Sequence, residues 1–166
     1  MINASLYRRE KLAIKYQEIG NNVNPLVLVQ IANSDSNNNA FDISIKQRVD
    51  EELLLNKGIA YENGKLAVWL SDDKQNENIV ANNNEVQVLI FKQAIALGWN
   101  CPRAQILCML REIGSTTFKI QTVGRVLRMP ELKHYEEDEL NSAYVYANLE
   151  SIIVDDNDTD AKAFIY

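Results

Sequence analysis

Hydrophobic and polar positions alternate along this chain on two scales. Leu6–Ile19 has helical spacing, with Leu12, Ile14 and Ile19 set among Arg8, Arg9, Lys11 and Lys15, and predicts an amphipathic helix. Asn21-Asn22 and Asn24-Pro25 mark a turn. Leu26–Ile31 is a short, nearly unbroken apolar run, the pattern of a strand buried on both faces. The polar stretch Ser34–Asn39 reads as a loop, and Phe41–Leu55 as a second helix closed by Lys57-Gly58. Further strands are predicted at Leu66–Leu70, Val86–Phe91, Ala104–Leu110 and Ala143–Leu149, the last alternating enough to lie near a sheet edge. The loop Ser71–Asn78 follows the second strand, and Gln93–Leu97 makes a short helical turn between the third and fourth. Ser115–Leu127 is a helix with Ser115 or Thr116 as its N-cap. The order α-β-α-β-β-β-α-β predicts an α/β domain, a mostly parallel sheet flanked by helices.

Length and composition change this picture little. A chain of 166 residues is one domain, here residues 1–150, followed by an acidic, non-periodic linker over 151–166. The final Phe164-Ile165-Tyr166 reads as a truncation inside another element, so the chain is expected to be an excerpt of something longer. With 46% hydrophobic residues a normal core can be buried. The net charge of −6, from 17 basic and 23 acidic residues, argues against wrapping nucleic acid through bulk charge. It leaves room for a few placed contacts. Cys101 and Cys108 have the spacing of neither a zinc site nor a redox pair, which points to two reduced thiols in a cytoplasmic protein. No apolar run is long enough to span a membrane, no signal peptide is evident, and His134 alone organises no metal site.

Candidate chemistry sits in two stretches. On a helix Gln121, Arg125 and Arg128 share one face, and Gly124 leaves the backbone beside them open to close approach. Two permanently charged, planar donor forks on one face suit a phosphate; a solvated helix face is the competing reading. Upstream, Lys92 and Gln93 follow the third strand, where loops at strand carboxyl ends form the ligand crevice of parallel sheets. Gly98 permits close approach, and Asn100 can donate to or accept from a hydroxyl. Three other features carry less. Asp50-Glu51-Glu52 imitates a metal-binding box but lies in a helical pattern. Glu131-Leu132-Lys133 imitates the end of a nuclease signature but lacks a preceding aspartate. Trp99 reads as packing.

Together these stretches resemble motifs V and VI of superfamily-two helicases. Gln121…Gly124-Arg125…Arg128 has the form Q-x-x-G-R-x-x-R, and Lys92 to Asn100 matches motif V, with Gly98-Trp99-Asn100 where the family usually has Gly-x-Asp. The wording of Lys92–Ala96, Cys101–Ile106, Arg111–Ser115 and Gln121–Glu131 is similar to the restriction (Res) subunit of type III restriction-modification enzymes. Pro25–Asn33 resembles that family's motif IV strand, and the Leu66–Leu70 strand and its following loop resemble the same subunit. The resemblance implies a three-layer RecA-like fold, the second motor domain of an ATP-dependent DNA translocase. It also implies roles. Arg128, with Arg125, would be the arginine finger; Gln121 and Gly124 would lie at the γ-phosphate. Gly98 and Asn100 would border the ribose, and Lys92 and Gln93 would touch the DNA backbone. Asn100 in place of aspartate weakens the coupling role assigned there.

The same resemblance implies partners outside the chain. A first RecA-like domain would hold ATP and Mg²⁺, a nuclease domain would follow, a methylation (Mod) subunit would recognise the site, and double-stranded DNA would be the track. The chain contains no G-x-x-x-x-G-K-[ST], so neither ATPase nor nuclease activity is expected of it alone. Two other readings stay open: a domain of another superfamily-two helicase in repair or phage defence, and a degenerate, non-catalytic interaction module.

Overall fold

The computed structural model describes residues 1–31, 47–53, 55, 57–69, 78–91, 100–110, 131, 133–147 and 164–165. Helix α1 (Ile2–Glu18) leads into a six-stranded sheet of β1 (Val27–Gln30), β2 (Leu66–Trp69), β3 (Val88–Phe91), β4 (Ile106–Met109), β5 (Tyr144–Tyr146) and β6 (Phe164–Ile165). A 3-10 turn, Asp138–Asn141, precedes β5. The spatial order is β2-β3-β1-β4-β5-β6 and every pairing is parallel. Residues 47–53, 55 and 57 are helical, within and just past the second predicted helix. The predicted helices at Gln93–Leu97 and Ser115–Leu127 lie outside the described residues.

The sheet divides the core in two, as the unbroken apolar strands require. Side chains alternate: Val27, Val29, Val88, Ile90, Ile106 and Cys108 enter one cluster, while Leu28, Ala67, Leu89, Phe91, Leu107 and Met109 enter the other. The first cluster is covered by α1 and the second helical segment, through Leu6, Leu12, Tyr16, Val49 and Leu53. Central β1 is bracketed by β3 and β4 in register, Val27 opposite both Val88 and Ile106. This is the α/β, RecA-like layering that the pattern and the resemblance led us to expect.

Two expectations change. The first helix begins at Ile2, four residues early, because its N-cap is Met1 with no side-chain cap to mark it in the sequence. It also turns a different face inward. Ser5, Leu6, Arg9, Leu12 and Tyr16 are buried, whereas Ile14 and Ile19 are exposed. At the other end, Phe164–Ile165 pairs with Tyr144–Val145 as a sixth strand, where the sequence reads as part of another element.

The end of α1 is set by Gly20. Its φ of 73° lies in the left-handed region, and Gly20 N donates to Gln17 O (3.0 Å) while Asn21 N donates to Tyr16 O (2.8 Å). This paired closure satisfies two terminal carbonyls. The closure ends on Asn21. Residues Glu136–Glu139 form an acidic block beside this helix. Lys15 pairs with Glu137 at 2.7 Å and Arg8 with Glu139 at 3.4 Å, so α1 docks its basic side onto that block. Hydrogen bonding to Glu137 raises the Lys15 pKa.

Cys101 and Cys108 are both buried, one on each side of the sheet, and burial pushes both thiols up to about 11. Thiolate is the reactive form. Iodoacetamide at pH 8 is therefore expected to leave the native chain unmodified and to alkylate both thiols in denaturant. An adduct on the native chain by mass spectrometry would contradict this placement.

Candidate functional site

Parallel strands put all their carboxyl ends on one edge of the sheet, here at Gln30, Trp69, Phe91, Met109 and Tyr146. Lys92 and Gln93 follow Phe91 directly in the chain. They lie outside the described residues, as do Gly98, Gln121, Gly124, Arg125 and Arg128. Whether these seven come together is not something the described residues address. Asn100 is described. It is exposed, and the Sγ of its neighbour Cys101 sits 3.8 Å from Ile79 O, among the loops at the amino ends of the strands.

Gln30 closes central β1 at the carboxyl edge. It is 2% exposed, and its Oε1 has no hydrogen-bond partner among the described residues. Nothing in the sequence distinguished this glutamine from the rest of the run Leu26–Ile31.

The amino edge is held by a cluster that the sequence did not reveal. Arg103 is fully buried. Its Nε donates to Ile79 O (2.8 Å), Nη1 donates to Asn24 O (2.8 Å) and Val86 O (2.9 Å), and Nη2 donates to Asn84 Oδ1 (3.4 Å). Its own carbonyl accepts from Leu26 N at 2.9 Å. Arg9 approaches the same turn from α1. Its Nε donates to Pro25 O at 3.1 Å and its Nη2 donates to Asn24 Oδ1. Asn24 closes the ring by donating from Nδ2 to Asn84 O (2.7 Å) and from N to Asn82 O (2.7 Å). Two guanidiniums thus gather the loops before β1, β3 and β4 through neutral oxygens. Burial lowers both pKa values, that of Arg103 to about 10, still far above neutrality, so both stay charged. With its donors engaged by three backbone carbonyls and the Asn84 side chain, Arg103 is an organiser of the fold and not a ligand contact.

A second cluster closes the stretch that carries the arginine motif in sequence. Glu131 Oε2 accepts from Asn21 Nδ2 (2.8 Å) and Tyr135 OH (3.2 Å), and pairs with Lys133 Nζ at 2.6 Å. The Lys133 hydrogen bond is the main reason that the Glu131 pKa falls. Tyr135 packs edge-on against Tyr16, with ring centroids 5.5 Å apart. Tyr16 OH donates to Gln105 Oε1 at 2.8 Å, and Gln105 Nε2 donates to Leu140 O at 2.9 Å. These contacts join the end of α1, the start of β4 and residues 131–141.

The lesser features resolve simply. Asp50, Glu51 and Glu52 are helical, and Glu52 accepts from Asn3 Nδ2 at 2.7 Å. Glu131 is engaged by its three neighbours instead of standing free beside Lys133. Among the described residues no three His, Cys, Asp or Glu side chains group so as to hold a metal ion, and no helix is long and apolar enough to cross a membrane.

Comparison with known proteins adds one likeness. Over 54 residues, 32% of this chain, the sequence is 39% identical to the type III restriction-modification enzyme EcoPI Res subunit of Escherichia phage P1, and equally to the EcoP15I Res subunit of Escherichia coli. The likeness supports a relation to type III Res subunits. The matched stretch covers only 6% of either protein. No protein-family model matches the chain, and no solved structure does.

Proposed function

We propose that this chain is the second RecA-like motor domain of the DNA-translocating restriction subunit of a type III restriction-modification system. The observation that carries the reading is the 39% identity to two such Res subunits. The all-parallel α/β sheet and the Q-x-x-G-R-x-x-R wording of Gln121–Arg128 agree with it. In this reading the domain completes an ATPase site across an interface. Arg128 stabilises charge on the transferring phosphoryl group, Arg125 shares that load, and Gln121 holds the phosphate or the attacking water. Gly124 allows the close approach. Gly98 and Asn100 border the ribose, and Lys92 and Gln93 grip the DNA backbone. ATP and Mg²⁺ would be held mainly by a P-loop domain elsewhere in the same protein, since a backbone phosphate cradle is needed for them. A nuclease domain and a Mod subunit would complete a cytoplasmic enzyme acting on double-stranded DNA.

The isolated chain tests this directly. With ATP, Mg²⁺ and duplex DNA it is expected to release no phosphate, and to bind DNA weakly and in a salt-sensitive way given its net charge of −6. Phosphate release that survives Arg128→Ala would overturn the reading. So would a gene, with its neighbours, that encodes no P-loop domain.

A further inference from the structure

We propose that Asn63-Gly64 is a modification site: Asn63 deamidates when its turn opens and is held back while the turn is closed. The pair is the one Asn-Gly step in the sequence. Glycine after asparagine leaves the main-chain nitrogen unhindered, because no Cβ shields it. In the reaction the Gly64 nitrogen bonds to Asn63 Cγ, the Cγ–Nδ2 bond breaks, and ammonia leaves with the proton from Gly64 N. Water then opens the cyclic imide at either carbonyl, giving aspartate or isoaspartate. No oxidant or reductant takes part. Both residues are exposed, so water reaches them.

The turn engages both reactants. Gly64 N donates to Tyr61 O at 3.0 Å and closes a turn in which Gly64 has a φ of 72°. The Asn63 amide is held from both sides. Its Nδ2 donates to Gly58 O (2.8 Å), and its Oδ1 accepts from Ala60 N and Lys65 N (3.2 Å each). Attack requires the Gly64 nitrogen to leave Tyr61 O and the amide to rotate toward it, and both motions break these hydrogen bonds. The reaction therefore runs through a locally opened turn, and its rate falls with the population of that state. The same contacts set the consequence. Leu66 N donates to Ala60 O at 3.2 Å, so the turn leads directly into β2, an edge strand paired only with β3 among the described residues. Aspartate lacks the Nδ2 donor to Gly58 O, and isoaspartate also lengthens the main chain inside the turn. Either product loosens the entry to β2.

The test follows the purified chain at mildly alkaline pH by peptide mapping, with ammonia release as a second measure. Deamidation at Asn63 is expected to be at least about tenfold slower in the native chain than in guanidinium chloride, the factor that a modest opening cost imposes. Gly58→Ala loosens the turn without touching the reacting pair. A Cβ there meets nothing within 4 Å, so the strain falls on a backbone with a φ of 58°. This variant is expected to speed the native reaction about threefold or more and to leave the denatured rate unchanged. Asn63→Asp is expected to hasten hydrogen exchange at Leu66–Trp69 in a chain that keeps its circular dichroism spectrum. A native rate equal to the denatured rate, or above it, would overturn the protection, whether or not Gly58→Ala folds. So would a folded Gly58→Ala chain that deamidates at the wild-type rate. No reaction at Asn63 in denaturant would sink the site itself, and unchanged exchange in Asn63→Asp would sink the link to β2.

Discussion

If the proposed role holds, Arg128→Ala in the full gene product is expected to lower DNA-stimulated ATP turnover by about 10³-fold. The size follows from the role proposed for the guanidinium. Charge spreads over the equatorial oxygens of the transferring phosphoryl group, and a planar donor fork can meet two of them at once. The interaction is made in the transition state, so the loss should fall on kcat and leave KM for ATP nearly unchanged. Arg128→Lys is expected to restore little, since an ammonium offers charge without the fork. Single-turnover measurement of phosphate release checks this. A loss smaller than tenfold, with DNA binding intact, would assign the finger to another residue, with Arg125 the first to examine.

The second large effect concerns folding. Arg103→Met is expected to destabilise the chain by about 3 kcal/mol or more, measured by urea denaturation. The guanidinium donates to the carbonyls of Asn24, Ile79 and Val86 and to the side chain of Asn84. Methionine fills much of the same space but leaves those buried acceptors without donors, at about 1–3 kcal/mol for each buried group that water cannot reach. Arg103→Lys is expected to rescue little, because one ammonium cannot span four acceptors spread over two loops. A midpoint unchanged by Arg103→Met would mean that the amino edge is held by its apolar contacts alone.

The strands were legible because each is a run of apolar residues bounded by polar turns. Every predicted strand contains the observed one: Leu26–Ile31 contains Val27–Gln30, and Ala104–Leu110 contains Ile106–Met109. Strands buried on both faces leave that mark whatever their neighbours are. Their order in the sheet was not legible, since parallel neighbours are joined only through the folded whole. Burial of Arg9 and Arg103 was hidden for a related reason. In sequence an arginine reads as solvated or as a ligand for phosphate, and the carbonyls that engage these two belong to turns far along the chain. The exposed Ile14 and the buried Ser5 and Arg9 show the same limit within one helix: periodicity located α1, but its partners decided which face turned inward. Motif wording reached further than composition on function. It pointed to type III Res subunits, which the 54-residue likeness then supported. The motif residues other than Asn100 lie outside the described residues, so their roles rest on wording and chain order.

The parallel sheet also sets a timetable for folding. Strand β1 is the first to be synthesised and stands at the centre, yet its two neighbours are residues 88–91 and 106–109. Until the second of these leaves the ribosome, at least one edge of this apolar strand stays unpaired. Pairings so distant in sequence form slowly and expose strands meanwhile. Helix α1, which can form from local contacts alone, is the natural early cover for one side of β1 during that wait.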